Sequence, residues 1–132
     1  MSGLANACSL EGDNPGKPYS MPKAVSWCDV PSDNPIPLLR RQLIKGEKAL
    51  VARVYLDEGC KVALHSHESE QIAVIVRGKL LWTVGGVEQV LEGGSVLVLP
   101  SNVPHSVEAL EDSEVFDILS PPGPMGVDSQ KS

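Results

Sequence analysis

The amino-acid sequence predicts an all-β domain, a sandwich or barrel of short antiparallel strands. Three observations carry that expectation. The apolar runs are brief and rich in Val, Leu and Ile, 12 Gly and 11 Pro punctuate them, and helix signatures are sparse. A chain of 132 residues makes one domain, large enough to remove roughly two-thirds of its unfolded surface from water, so a core without disulfides is affordable.

Residues 1–26 carry Pro15, Pro18 and Pro22 among Gly, Asn and Ser and read as an extended arm. The barrel is expected over residues 27–120. Its first clear strands lie in LLRRQLIKGEKALVARVYL (38–56), two β-type stretches separated by Lys45-Gly46, a hairpin turn. Beyond Gly59 come runs at 71–77, 79–84, 87–91, 95–100, 105–110 and 114–120. Gly85-Gly86, Glu92-Gly93-Gly94 and Glu111-Asp112 supply turn chemistry between several of them. The tail 121–132, PPGPMGVDSQKS, cannot continue a sheet, because its prolines lack the donors a ladder needs.

In QIAVIVR both faces are apolar: Ile72, Val74 and Val76 alternate with Ala73 and Ile75. Something must cover the outer side, and a second copy of the chain, giving a homodimer, is the expected cover, with the N-terminal arm as the other candidate.

The net charge of -6 and only five aromatic residues, Tyr19, Trp27, Tyr55, Trp82 and Phe116, offer neither a basic groove nor a stacking platform, which excludes nucleic acid as a partner. No apolar run is long enough to cross a bilayer, so no membrane partner is expected. Cys8, Cys28 and Cys60 are odd in number and contain no C-x-x-C pair, which reads as reduced thiols in a cytoplasmic protein. Small-molecule substrates, anionic ones included, remain open, since a bound cation can reverse the local field of an acidic chain.

All three histidines fall at strand ends, His65 and His67 in an H-x-H pair and His105 alone. Residues at i and i+2 of a strand point to one side, so His65 and His67 can offer two imidazoles to one point. Gln71 shares their parity, whereas Glu68 and Glu70 do not. His105 follows the rigid Leu-Pro-Ser-Asn-Val-Pro turn and can return across a barrel. A lone H-x-H is a weak signal; three histidines and a glutamine predict a divalent metal ion, for which zinc, iron, nickel, copper and manganese all suit imidazole. Asp117, in EVFDILS, either faces inward with a raised pKa suited to proton transfer or faces water. Cys60 reads as a small buried hydrophobe and Trp82 as barrel filling. Arg40, Arg41, Arg53 and Arg77 include whatever would clamp a substrate carboxylate, yet on an acidic chain most of them read as solvated ion partners.

The stretch from Gly59 to Ala109 resembles the paired motifs of the cupin superfamily. GCKVALHSHESEQIAVIVRG keeps Gly59, His65, His67 and Gly78, with Gln71 where the family usually has Glu. GSVLVLPSNVPHSVEA keeps Gly94, Pro100 and His105, with Asn102 in place of Gly and Ala109 in place of Asn. The resemblance implies the cupin double-stranded β-helix, a jelly-roll barrel, and one divalent ion (Zn, Fe, Mn or Ni) held by His65, His67, Gln71 and His105. A neutral Gln leaves that ion its full charge, which favours non-redox isomerase, cyclase or lyase chemistry over oxygen chemistry.

The runs HSHESEQ and LPSNVPHS and the terminal D-x-x-SPP are further similar to the small uronate-processing cupins of pectin and alginate degradation. That likeness implies ring opening or isomerisation of a small oxygenated acid, with a 4,5-unsaturated monouronate as the leading substrate and Asp117 as the proton-transferring group. Leu119 departs from the Phe usual there. The alternatives are an Fe(II)-dependent cupin dioxygenase and a non-catalytic sugar- or metabolite-binding cupin.

Overall fold

Alternation in the sequence LVARVYL puts Leu50, Ala52, Val54 and Leu56 on one face, and these four are buried. In the computed structural model, which describes residues 24–130, this segment is β3 (Leu50–Leu56). It is entered from β2 (Leu39–Lys45) through the turn at Gly46, and the two-residue β1 (Ser32–Asp33) pairs with β2 at the sheet edge. The strands that follow are β4 (Lys61–His65), β5 (Glu70–Arg77), β6 (Lys79–Val84), β7 (Val87–Glu92), β8 (Val96–Leu99), β9 (His105–Ala109) and β10 (Ser113–Ser120). Gly85 and Gly86 both take positive φ, 57° and 85°, as a two-residue hairpin turn between β6 and β7 requires.

Pairing is nested: β3 lies beside β10, β4 beside β9, β5 beside β8 and β6 beside β7, all antiparallel. Such nesting is a jelly roll, here with sheet orders β1-β2-β3-β10-β5-β8 and β4-β9-β6-β7. Ile75, Leu80, Leu99, Leu119 and Cys60 are the largest fully buried side chains. Asn102 takes the left-handed φ of 66°, which its short polar side chain tolerates, and so does the work of the glycine usual in the motif.

One irregularity sits between β5 and β10. Glu114 pairs with Arg77 and Val115 with Ile75, so Val76 has no partner and forms a bulge. The bulge turns Arg77 outward, where Glu114 accepts from Arg77 Nε at 3.2 Å and from Arg53 Nε at 3.0 Å. On the same outer surface the 3-10 turn Trp27–Asp29 lies over the sheet. The Trp27 ring is 5.9 Å from that of Phe116, and Gln42 Nε2 donates to the Trp27 and Val30 carbonyls at 2.8 Å each.

Of the N-terminal arm, residues 1–23 lie outside the described residues. Over its described residues, 121–130, the tail forms no strand, as its prolines dictate, but it packs: Met125 is buried, as are Gly126 and Val127 at the start of a 3-10 helix, Gly126–Gln130. Of the three thiols expected to be reduced, Cys60 is a free, buried thiol, and Cys8 lies outside the described residues. Among the described residues no helix is long and apolar enough to cross a membrane.

Candidate metal centre

His65 ends β4 and stands directly opposite His105, the first residue of β9. His67 sits in the bend that carries the chain from β4 to β5, and Gln71 lies inward on β5. The structure brings these residues together, but not through a shared strand parity. His65, His67 and Gln71 do not share one strand: β4 and β5 belong to different sheets, and the bend between them aims both imidazoles at the space that Gln71 faces from across the sandwich.

The ring centroids of His65 and His105 are 4.2 Å apart, those of His67 and His105 5.0 Å, and one ligand nitrogen from each of the three lies within 4.8 Å of the others. Each imidazole is fixed by its Nδ1, which donates to a backbone carbonyl two residues away: His65 to Ala63 at 2.7 Å, His67 to Ser69 at 2.9 Å and His105 to Val103 at 2.8 Å. A carbonyl only accepts, so the proton is on Nδ1 and the Nε2 lone pairs are left for another partner. Buried His105 Nε2 has no hydrogen-bond partner in the protein. His67 Nε2 faces Gln71 Oε1 at 3.0 Å, and with the ring proton on Nδ1 these are two acceptors facing each other. A divalent cation would take up both lone pairs and so relieve this pairing. The residues present fit a divalent ion.

Electrostatics agree. Burial, partly offset by the Ala63 hydrogen bond and reinforced by His67, lowers the pKa of His65. The pKa of His105 is pushed down to about 4, first by burial and then by its two imidazole neighbours against the Val103 bond. Both are therefore neutral at physiological pH, the state in which imidazole ligates.

Behind Gln71 lies Asp117, buried at 7% exposure. Of the two orientations open to it, the structure shows the inward one. Its Oδ1 accepts from Gln71 Nε2 at 2.8 Å. Burial raises its pKa to about 7 despite that hydrogen bond. One amide thus spans the site, its oxygen toward His67 and its nitrogen on the carboxylate.

The cavity leaves about 50 Å³ for solvent and is walled by apolar side chains such as Leu39, Val54, Leu80 and Val107, with Trp82 beside them. None of Arg40, Arg41, Arg53 and Arg77 lines it. Arg41 is bound to Asp33 and Asp128, Arg53 and Arg77 to Glu114, and Arg40 lies over the Tyr55 ring. The ion-partner reading therefore holds for Arg41, Arg53 and Arg77, and none of the four places a carboxylate clamp in the cavity. What the sequence reading missed is the wall formed by Met125, Gly126 and Val127; two apolar residues within a Pro- and Gly-rich tail were the available signal.

Residues 52–119, just over half of the chain, match the family described as "Cupin domain". A relative from Bacillus subtilis named H2HPP isomerase is 29% identical over 101 residues, taking in 76% of this chain and 39% of that protein, so the chain spans less than half of that relative's length. The solved structure of KdgF from Halomonas sp. superposes with a TM-score of 0.67 at 28% identity, over 70% of this chain and 87% of that one. An RmlC-like cupin from Shewanella frigidimarina superposes with a TM-score of 0.68 at 23% identity, over 70% and 85% respectively, a likeness of fold alone.

Proposed function

This chain belongs to the cupin family, and we propose that it is a metal-dependent enzyme of the isomerase or cyclase type acting on a small oxygenated acid. His65, His67, His105 and Gln71 hold one divalent ion, Zn, Fe, Mn or Ni, and Asp117 moves the proton. The observation that carries the reading is the Gln71 amide, which couples the imidazole cluster to a buried carboxyl group. Similarity to a named isomerase supports the reaction class.

The bound ion would supply Lewis acidity toward a substrate oxygen. The chain's own residues do the rest. Three imidazoles and an amide contribute no negative charge, so none of that acidity is cancelled. Gln71 donates to Asp117 and keeps the carboxyl at the cavity wall. With a pKa near 7, Asp117 exchanges a proton readily in either direction, as an isomerisation needs. The apolar walls exclude water from the reacting atoms.

A 4,5-unsaturated monouronate is the first substrate to test, through the resemblance to uronate-processing cupins. The cation-free, apolar lining favours a second reading, an oxygenated acid with a largely apolar body. The test is incubation of the metal-loaded protein with the monouronate while its ultraviolet enol absorbance is followed. Decay that is lost in Asp117→Asn supports the proposal. Oxygen consumption with iron alone would instead identify a dioxygenase, and ligand recovered unchanged would identify a binding protein.

We also propose a homodimer through the outer face of the six-stranded sheet. Val96, Val98 and Val76 are 62%, 52% and 43% exposed there and lie beside Ile72, Val74 and Ile118, none of them charged. That surface adds no local charge repulsion to the contact between two copies of a chain with net charge -6.

A further inference from the structure

We infer that the C-terminal segment Pro121–Gln130 is a movable wall of the metal centre and that Gly126 sets how large a ligand the centre admits; this rests on the reading of the histidines as a metal site. Met125, Gly126 and Val127 are buried and line the cavity. Gly126 lies so close to His65 that an added Cβ would overlap Cδ2, Cγ and Nε2 of the imidazole. Only a residue without a side chain fits against the edge that carries the ligating nitrogen.

Met125 and Val127 pack into the hydrophobic core, and the rest of the segment's hold comes from polar contacts and not from sheet pairing. Asp128 takes the Arg41 guanidinium on both oxygens, Nη1 to Oδ2 at 3.1 Å and Nη2 to Oδ1 at 3.0 Å, and its Oδ2 also accepts the Met125 amide at 2.9 Å. Arg41 is 3% exposed and is braced from the other side by Asp33, at 2.8 Å. Neither Arg41 nor Asp128 lines the cavity, so both are positioning residues that act through Gly126. At the other end Ser69 Oγ donates to the Pro121 carbonyl at 2.6 Å. Between these two anchors the segment closes a space of about 50 Å³, room for water but not for a sugar acid. A ligand of that size enters only when the wall moves off His65, and the fork between Arg41 and Asp128 must then yield together with the core contacts of Met125 and Val127.

Two variants and two readouts test this. In the metal-free, full-length protein, diethyl pyrocarbonate reaches His65 Nε2 when the wall is displaced. Carbethoxylation of His65, followed by peptide mass spectrometry, is expected to rise by about fivefold or more in Asp128→Ala and Gly126→Ala, as for any segment whose local opening becomes easier. In cobalt-loaded protein titrated with acetohydroxamate and the bulkier benzohydroxamate, followed by visible absorption, the wild type is expected to prefer the smaller probe by about tenfold or more, and both variants to lose that preference.

Unchanged carbethoxylation with unchanged preference overturns the inference. Raised carbethoxylation with the preference intact keeps the wall and overturns the role of Gly126. Failure of cobalt to bind overturns the metal reading instead, and the carbethoxylation arm still decides on the wall. If Asp128→Ala does not fold, Arg41→Lys replaces it, keeping the charge and losing the two-pronged contact.

Discussion

The four-stranded sheet and the six-stranded sheet bring different chemistry to the centre and hold it by different means. His65 and His105, from the first, and His67, from the bend, are each locked to a carbonyl only two residues away. Gln71 and Asp117, from the second, are 46 positions apart and lock one another. Local locks form wherever the turn forms. The Gln71–Asp117 contact exists only if β5 and β10 pair in the right register, with Leu119 opposite Gln71 and Asp117 opposite Ala73. The metal half should therefore be robust and the proton-transfer half sensitive to the barrel as a whole.

The sharpest way to break this comparison is to remove ligands from each side. His105→Ala is expected to reduce bound metal, measured by elemental analysis after dialysis, from about one ion per chain to background. Gln71→Ala should retain the ion with affinity weakened by only about 10–100-fold. Equal loss in both would erase the distinction. Next in size, Asp117→Asn should slow turnover of the unsaturated monouronate by about 10²–10⁴-fold at unchanged metal content. A loss of metal in that variant would show that Asp117 supports the ion and not the proton.

A smaller effect separates the halves by pH in the metal-free protein. Asp117 titrates near 7 when folded against 3.8 for the free group. Between those values the unfolded chain has released a proton that the folded chain keeps, so stability falls as pH rises. His105 works in the opposite direction, with a folded value of about 4 against 6.5. There the unfolded chain takes up a proton first, and stability is lost as pH falls through that window. Asp117→Asn should thus raise the melting temperature at about pH 8, by the equivalent of no more than about 4 kcal/mol, and leave it unchanged below about pH 4. Calorimetry at both pH values checks the sign. Least disturbing to the centre is Val98→Lys on the outer face. It is expected to convert a dimer to a monomer in sedimentation experiments while metal content stays constant.

Much of the metal half was legible from residues alone, because a histidine pair, a proline-bounded turn and a third histidine are local patterns. The strands between Glu70 and Ser120 were legible too, since turn residues separate apolar runs there. The direction of Asp117 was not, because strand parity assigns a side only once the β5–β10 register is known. The wall at Met125–Val127 was hidden for a related reason. A Pro-rich tail excludes a strand, but nothing local shows that Asp128 will find Arg41, 87 positions away.

The unpaired Val76 bears on how this family can vary in length. Gln71, Ala73 and Ile75 face inward on alternate positions, and the bulge is the one place on β5 where β10 opposes no residue. Losing Val76 would restore a regular ladder with Ile75 still opposite Val115 and Arg77 still opposite Glu114. Losing any residue from Ile72 to Ile75 would instead reverse which side chains face the centre on one side of the gap. Insertions and deletions among related chains are therefore expected to collect at this one position, and length should be conserved between it and Gln71.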